Sequence, residues 1–322
     1  MNARRSLLLG LVAIAGLAAC AREPAAPAAT GAGTATPVGV LLVAHGSRSS
    51  TWTAQLDAFA ATVRAPLAGR PGVKGVKLAY LDEPKSSIAT AMREFDGEGV
   101  AEVVVVPLLL ADESTLTNEY LQYLVGMRSE SRVLQGLRND GYELHFPKAR
   151  ATLTPALATS EALKKNVLRR VEALRGADDG EKLGVLLVGY GDRKYGQQME
   201  EIVQGIGRYL KVQTPMDTVA FAFCGELVDY SGEPVAKALN EVLAVEEQVL
   251  VVPVLLGNDE KLQRDAIQAA IGAIDTPARV RYKADAILRD PAVTQWVVDK
   301  VDEALKRVQG AGGAMVPTDN RG

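Results

Sequence analysis

Short unbroken apolar runs alternate with segments of helical periodicity along most of the chain. The runs cover 38–44, 76–81 and 103–110, and stretches with apolar residues three or four positions apart separate them at 52–63 and 88–95. Continuous apolar strands between amphipathic helices are typical of parallel sheets that are covered on both faces. The pattern therefore predicts an α/β fold with open, doubly wound parallel sheets, in which ligands bind at the carboxyl ends of the strands.

The same pattern occurs twice in the chain. The segment GVLLVAHGSR at 39–48 is echoed by GVLLVGYGDR at 184–193, and VVVVPLLLADE is echoed by LVVPVLLGNDE. Self-similarity at a fixed spacing indicates repeated structural units. We expect two copies of one domain, at 37–178 and 179–309, which form tandem pseudo-symmetric lobes with a cleft between them in a self-sufficient monomer.

The N-terminus has the pattern of an export signal. Two arginines precede an apolar stretch that ends in LAAC at Cys20, which resembles the processing site of bacterial lipoproteins. We expect residues 1–19 to be removed as a signal peptide, Cys20 to be lipidated, and the Ala- and Pro-rich segment 20–36 to form a flexible tether. The expected location is extracytoplasmic, with the lipid as the only contact with a bacterial membrane. A disordered tail is expected at 310–322.

Composition narrows the class of function. The chain carries 36 basic and 39 acidic residues, which are interspersed, and this balance does not favour nucleic acid as a partner. The sequence has neither a Gly-Lys-Ser/Thr phosphate loop nor a dinucleotide fingerprint, so no nucleotide cofactor is expected. The Gly-x-Ser-x-Gly elbow of α/β-hydrolases is missing as well. With two histidines and two cysteines, a closed structural zinc site is not expected.

Three features occur together: a strand that ends in His45-Gly-Ser, the segment AYLDEPKSSIATAM about 35 residues later, and the strand EVVVVPLLL. They resemble the class II chelatases of the CbiX type, which insert cobalt or iron into sirohydrochlorin, in the long form that contains two copies. The resemblance covers nearly all of 37–308. It implies a macrocycle bound in a cleft between two lobes and a divalent metal ion (cobalt, iron or nickel) as substrate, delivered by histidine.

His45 is the expected metal ligand and catalytic proton acceptor. An imidazole with an ordinary pKa of about 6.5 binds a divalent ion when it is neutral and accepts a proton near neutral pH. Asp82 stands where the family has a glutamate after its second strand, so it is predicted as a second catalytic residue and metal ligand, or alternatively as a turn residue. Asp112 and Glu113 are further predicted metal ligands, and Asp112 equally suits the N-cap of a following helix.

Four residues are predicted to bind the macrocycle: Gly46 and Ser47 beside His45, Thr115, and Tyr190. Thr115 stands where the family has a second histidine, eight residues beyond the proline of the third strand, and Tyr190 replaces the first histidine in the second copy. The second copy is therefore expected to carry or support the site rather than to host the chemistry itself.

The second histidine and Cys224 are further candidates. His145 lies in YELHFP, where it alternates with apolar residues, and we expect it early in the fourth strand, at the edge of the sheet opposite His45. Cys224 ends the segment TVAFAFC and would be a soft metal ligand, although most such thiols are buried packing residues.

Two alternatives to metal insertion stay open. The missing second histidine favours a non-catalytic protein that binds a tetrapyrrole or a metal as a membrane-anchored carrier or scavenger. The family also implies that sirohydrochlorin is made in the cytoplasm, on the other side of the membrane. AHGSRS further resembles the strand-ending Arg-His-Gly of histidine phosphatases, but Ala44 replaces the arginine that such enzymes need for phosphate.

Overall fold

The computed structural model describes residues 35–46, 50–82, 84–110, 120–177, 182–193 and 195–312. The predicted signal peptide, the lipidation of Cys20 and nearly all of the predicted tether lie outside these ranges. So do the predicted lobe boundary at 178/179 and four predicted site residues, namely Ser47, Asp112, Glu113 and Thr115. From Ala35 onwards the chain belongs to one compact unit.

Eight strands in the described ranges form two parallel sheets of four strands each, with the orders β2-β1-β3-β4 and β6-β5-β7-β8. The two sheets share one topology, which confirms the predicted doubly wound α/β fold with two similar lobes. The strands are β1 (Val38–Ala44), β2 (Val73–Tyr80), β3 (Glu102–Pro107), β4 (Arg150–Leu153), β5 (Leu183–Gly189), β6 (Val219–Phe223), β7 (Gln248–Val254) and β8 (Val280–Tyr282).

Helices cover the faces of both sheets. A π-helical segment, Lys261–Gln268, runs directly into the short helix α8. None of the helices in the described ranges combines the length and the apolar character that a membrane span requires. The α-helices are α1 (Ser50–Leu67), α2 (Ser87–Gly97), α3 (Gln122–Leu124), α4 (Ser131–Asn139), α5 (Glu161–Arg175), α6 (Gly196–Gln213), α7 (Glu233–Leu243), α8 (Ala269–Ala273) and α9 (Pro291–Gly312).

The central strands are buried along their whole length. Every residue of β1 and of β5 is buried, because helices pack on both faces and successive side chains point to opposite faces. In β1, Val40 and Leu42 contribute to one hydrophobic core, whereas Leu41 and Val43 contribute to another. Continuous burial of Val and Leu therefore fixes the position of each strand end, which is where the candidate chemistry lies.

Each copy gives its last helix to the sheet of the other copy. Helix α5 packs against β7, while α9 packs against β3 and α1. One hydrophobic core therefore contains side chains from both sheets, such as Val104 and Leu250, together with Val167 from α5 and Val297 from α9. Because the helices are exchanged, the lobes fold as one unit. Helix α9 also continues to Gly312, two residues past the predicted start of the disordered tail.

The predicted place of His145 early in a fourth strand is wrong. Residues 142–147 have no strand structure, and β4 begins only at Arg150. His145 Nε2 instead lies 2.7 Å from Oδ2 of Asp96 in α2, whose carboxylate also accepts the backbone N–H groups of Lys148 and Ala149. Burial raises the pKa of Asp96, but these hydrogen bonds outweigh it and hold the pKa below its usual value. This carboxylate binds the segment just before β4, and the β3–β4 pairing begins only at Glu102 and Arg150.

Candidate functional site

His45 follows β1 at the carboxyl edge of the first sheet. Strands β1 and β2 are parallel neighbours with Ala44 opposite Tyr80, and the N–H of Leu81 donates to the Ala44 carbonyl at 2.8 Å. The residues that follow the two strands, His45 and Asp82, therefore meet at the same edge. The sequence-based expectation that this edge carries the histidine agrees with the structure.

The imidazole and the carboxylate form a pair. His45 Nδ1 lies 3.3 Å from Asp82 Oδ2, and the backbone N–H of Gly46 donates to Asp82 Oδ1 at 2.5 Å. When Nδ1 carries the proton and donates it to Asp82, the lone pair of Nε2 is available for a metal ion. The side chains are 49% and 43% exposed, so an incoming ion can reach the pair from solvent. Asp82 is thus placed to orient His45.

The backbone of His45 is held by Trp52. The indole Nε1–H of Trp52, in the first turn of α1, donates to the His45 carbonyl at 2.9 Å. The ring of Trp52 packs on Gly257 of the second lobe, where a Cβ atom would lie only 2.8 Å from Cζ3 of the indole. The second lobe therefore contributes to the position of His45 through this contact.

A second contact between the lobes lies one turn further along α1. The amide of Gln55 donates to the Asn258 carbonyl at 2.9 Å and accepts the Asn258 N–H at 2.7 Å. Sequence reasoning missed these supporting residues of the site. The available signal was Trp52, one of two tryptophans in the chain, which follows His45 by only seven residues.

The second lobe has a different pair at the matching edge. Tyr190 follows β5, and the N–H of Cys224 donates to the Gly189 carbonyl at 3.1 Å, as Leu81 does to Ala44 in the first lobe. Asp82 is therefore matched by Gly225. A Cβ atom on Gly225 would lie 2.3 Å from the Tyr190 carbonyl oxygen and 2.6 Å from its ring. The tyrosine thus occupies the space that a carboxylate side chain would need.

Tyr190 is bound to a second tyrosine. The two phenol oxygens of Tyr190 and Tyr230 are 3.1 Å apart, and their rings meet edge to face with centroids 6.3 Å apart. Burial, followed by the hydrogen bond with Tyr230, raises the pKa of Tyr190 far above its usual value. The phenol is therefore neutral at physiological pH and is a poor anionic ligand for a metal.

Lys261 is the residue of the second copy that corresponds to Thr115 when Pro107 is aligned with Pro253. Its Nζ lies 3.9 Å from the centroid of the Tyr230 ring, a distance typical of a cation–π contact. This contact adds a positive charge to the second edge, which makes that edge unfavourable for a divalent cation. The supporting role of the second copy stays a prediction.

Cys224 is a packing residue in the described structure. Its side chain is fully buried, and its Sγ lies 3.4 Å from the Gly189 carbonyl oxygen. Burial raises the pKa of this thiol to about 12. Because metals bind the thiolate rather than the thiol, the structure gives no support to Cys224 as a soft ligand.

The described residues hold no group of three or more His, Cys, Asp or Glu side chains with the geometry of a metal site. His45 and Asp82 make a pair only, and the other predicted ligands, Asp112 and Glu113, lie outside the described ranges. With Asp82 on the Nδ1 side of the ring, an ion at Nε2 would have one ligand among the described residues. A single ligand is typical of loose rather than permanent binding.

Comparison with known proteins adds to this geometry. Residues 39–174 match the family model of CbiX. The structure of SirB from Bacillus subtilis with Fe³⁺ superimposes with a TM-score of 0.62 at 21% identity, over 85% of this chain and 98% of that one. The sirohydrochlorin chelatase SirB from Bacillus subtilis subspecies spizizenii in complex with cobalt gives 0.59 at 20% identity, over 85% and 97% of the chains.

A third similar structure is CbiX, described as the terminal enzyme for biosynthesis of siroheme in denitrifying bacteria. It superimposes with a TM-score of 0.50 at 20% identity, over 83% of this chain and 99% of that one. No curated protein matches the sequence significantly. At this level of identity the solved structures show the fold, and the family match falls on the lobe that contains His45 and Asp82. The first lobe, over residues 39–174, is thus a CbiX-family domain of the class II chelatase type, in a chain whose two sheets share the chelatase fold.

Proposed function

We propose that this protein inserts a divalent metal ion, cobalt or iron, into a tetrapyrrole of the sirohydrochlorin type. The observation that carries the proposal is the His45–Asp82 pair, solvent-accessible at the carboxyl edge of a CbiX-family domain. Similar solved structures hold Fe³⁺ or cobalt, which makes these metals the first to test.

Insertion exchanges one set of bonds for another. The divalent ion leaves its water ligands, two pyrrole nitrogens lose their protons, and four ring nitrogens bind the metal. His45 binds the ion through Nε2 while Asp82 holds its Nδ1–H, and the released imidazole then accepts one pyrrole proton. The second proton passes to water or to Asp82, which is half exposed.

The proposed site binds the metal ion weakly. An imidazole nitrogen suits borderline divalent ions, but this single contact does not hold an ion against the four nitrogens of a macrocycle. The ion is therefore transferred rather than stored. In the proposed complex, the macrocycle lies against Gly46, and Tyr190 borders it from the second lobe. The sequence also predicts contacts with Ser47 and Thr115, which lie outside the described ranges.

Membrane anchoring is a second proposal and rests on the sequence alone. The LAAC motif at Cys20 supports lipidation and an extracytoplasmic location. Radiolabelled fatty acid is expected to be incorporated into the full chain and to be lost in Cys20→Ser. Equal labelling of both proteins would contradict the anchor and would leave the proposed chemistry untouched.

The experiment for metal insertion is optical. Sirohydrochlorin is mixed anaerobically with the protein, cobalt, ferrous iron or nickel is added, and the absorption spectrum is followed beside a protein-free control. We expect His45→Ala to lower the protein-dependent rate by about 100-fold or more, because a ligand and a proton acceptor are lost together. The matched control is His145→Ala, which removes the other histidine at a different edge and is expected to keep the rate within about twofold.

The spectra also separate the alternatives. A shifted tetrapyrrole spectrum without metal insertion would identify a binding protein that acts as a carrier or scavenger. Insertion that is equally fast in His45→Ala would contradict the assigned site. Melting temperatures of both variants show whether a lost rate reflects lost structure.

A further inference from the structure

A cavity of about 310 Å³ lies where the exchanged helix α5 meets the second sheet. It is bordered by α5 on one side and by β7 and the segment 283–290 on the other. Its lining contains none of the candidate metal-site residues that the structure describes. The volume is at the lower end of the range for small-molecule pockets, so a compact metabolite has room there.

Two arginines that line the cavity, Arg169 and Arg170, are already paired. Arg170 donates to the Pro253 carbonyl at 2.7 Å and lies 3.8 Å from Asp285, while Arg169 donates to Asp290 at 3.0 Å through Nε. Burial lowers the pKa of Arg170 despite the nearby carboxylates of Asp285 and Asp290. An additional negative charge beside Arg170 would therefore be stabilised.

Two further cations stand at the mouth of the cavity. Lys283 and Arg289 are both exposed, and within the described part of the chain neither side chain has an ion pair or a hydrogen bond. The carboxylates of Asp285 and Asp290 balance the charges of the two arginines. Lys283 and Arg289 therefore give the cavity an excess of positive charge. The chemistry of the lining favours an anion with two negative groups.

Asn166 adds a hydrogen-bond acceptor without a donor to the wall of the cavity. This residue is fully buried in the wall of the cavity, and its Nδ2 donates to the Ile287 carbonyl at 3.3 Å and to Asp290 Oδ2 at 3.1 Å. These two acceptors fix the orientation of the amide, because the reversed amide would place oxygen against oxygen. Asn166 Oδ1 is then buried without a donor. A buried acceptor needs a donor, so a ligand with a hydroxyl group fits better than one without.

The corresponding positions of the other copy do not carry these polar and charged side chains. The turns Leu157–Thr159 and Ile287–Arg289 precede α5 and α9 in the same way. Aligning them sets Asn166 against Trp296, Asp285 against Pro155 and Lys283 against Leu153. The polar and charged lining therefore does not follow from the duplicated fold and belongs to the second sheet alone.

We propose that the cavity binds a small organic dianion that carries a hydroxyl group. Its negative oxygens lie towards Lys283 and Arg289, and its hydroxyl donates to Asn166 Oδ1 once the ligand has displaced the side chains that cover this oxygen. Hydroxydicarboxylates and hydroxylated phosphate monoesters share this chemistry. The site is independent of the His45 edge and of any metal-insertion activity.

Calorimetric titration of the full chain with malate, succinate and glycerol 3-phosphate at matched ionic strength tests the proposal. Malate and succinate differ only in the hydroxyl group, so we expect malate to bind with a dissociation constant about tenfold lower. Tighter binding of glycerol 3-phosphate than of malate would support the site and assign the phosphate class. A saturable signal is expected below about 10 mM in at least one of these titrations, and its absence from all of them would overturn the proposal.

Two variants locate the binding. The double variant Lys283→Gln, Arg289→Gln removes exposed, unpaired charges and is expected to fold normally while raising the dissociation constant about tenfold. His45→Ala is expected to leave it unchanged. Binding that is unaffected by the double variant, lost in His45→Ala, or equal for malate and succinate would contradict the proposed site.

Discussion

The two sheets have the same topology, but their carboxyl edges carry different side chains. In the first lobe, His45 and Asp82 are paired at 3.3 Å and both are open to solvent. In the second lobe, Tyr190 packs on Gly225 and is bound to Tyr230. The first edge has an imidazole and a carboxylate that are open to solvent, whereas the second edge is filled by its own aromatic side chains.

This difference shows what the second copy contributes. It has no equivalent of the His45–Asp82 pair, yet its Gly257 supports Trp52, and Trp52 donates to the His45 carbonyl. Its sheet is also covered by α5 of the first copy. We therefore expect the second copy to act on the candidate site by supporting it.

After His45→Ala, the largest effect in this comparison is expected from Asp82→Asn. The change keeps the shape of the side chain but replaces one acceptor oxygen by a donor, so the imidazole loses the partner that orients it. We expect the rate of metal insertion to fall by about 10- to 100-fold with little change in melting temperature. Asp275→Asn, at an exposed position, is the control and is expected to match the wild type. Equal rates for the two variants would show that Asp82 does not act on His45.

Gly225→Ala tests the filled edge of the second lobe. The added methyl group would lie 2.3 Å from the Tyr190 carbonyl oxygen, so the backbone must shift. We expect the free energy of unfolding to fall by about 2 kcal/mol in denaturant titrations. Gly136→Ala, where the added Cβ atom meets nothing within 4 Å, is the matched control. A Gly225→Ala protein as stable as this control would disprove the close packing of the second edge.

Gly257→Ala tests whether the second lobe positions His45. A Cβ atom there would lie 2.8 Å from the Trp52 ring, which must then move together with its hydrogen bond to the His45 carbonyl. We expect the insertion rate to fall by about tenfold, because small displacements of a catalytic group are costly. Gly272→Ala, where the added Cβ atom meets nothing within 4 Å, serves as control. An unchanged insertion rate in Gly257→Ala would show that the second lobe does not position His45.

The smallest effect is expected at Cys224. With a pKa of about 12, only about one thiol in ten thousand is ionised at pH 8, so iodoacetamide should leave Cys224 unlabelled in the folded protein. Peptide mapping separates it from Cys20, and labelling in guanidinium provides the positive control. Fast labelling of Cys224 under native conditions would contradict its burial.

The same thiol affects stability at alkaline pH. The raised pKa means that the unfolded chain ionises at about pH 8.5 while the folded chain keeps its proton up to about pH 12. The contribution of the Cys224 thiol to the free energy of unfolding is therefore fully present below pH 8.5 and is lost as the pH rises towards 12. Cys224→Ala is expected to flatten this part of the pH profile, and an identical slope in the variant would contradict the assignment.

Strands and repeats could be predicted from the sequence because they are local patterns. The seven apolar residues of 38–44 predict β1 with its observed bounds, and the parallel pairing with β2 then brings His45 beside Asp82. The exchange of α5 and α9 could not be predicted in this way. Periodicity shows that a helix has an apolar face, but it does not show which sheet covers that face.

Two errors have a similar physical origin. The alternation in YELHFP predicts a strand, but the carboxylate of Asp96 binds the chain after it, and the β3–β4 pairing begins only at Arg150. The match between Asp82 and Gly225 was missed because Asp82 follows the last residue of β1 by 38 positions, whereas Gly225 follows the last residue of β5 by 36. The pairing of β5 with β6 reveals this match, and the contact with Asp96 fixes the place of His145. Both depend on contacts between residues that are distant in sequence, which local patterns do not record.

The most direct test of the account is to follow the two histidines by NMR while cobalt is added to the full chain. With only His45 and His145 present, their imidazole signals can be assigned by substitution. The account predicts that paramagnetic Co²⁺ broadens the signals of His45 first and that Asp82→Asn weakens this effect, while His145, bound to Asp96, is unaffected. Broadening of His145 first, or of neither histidine at millimolar cobalt, would contradict a metal site at the edge of the first lobe.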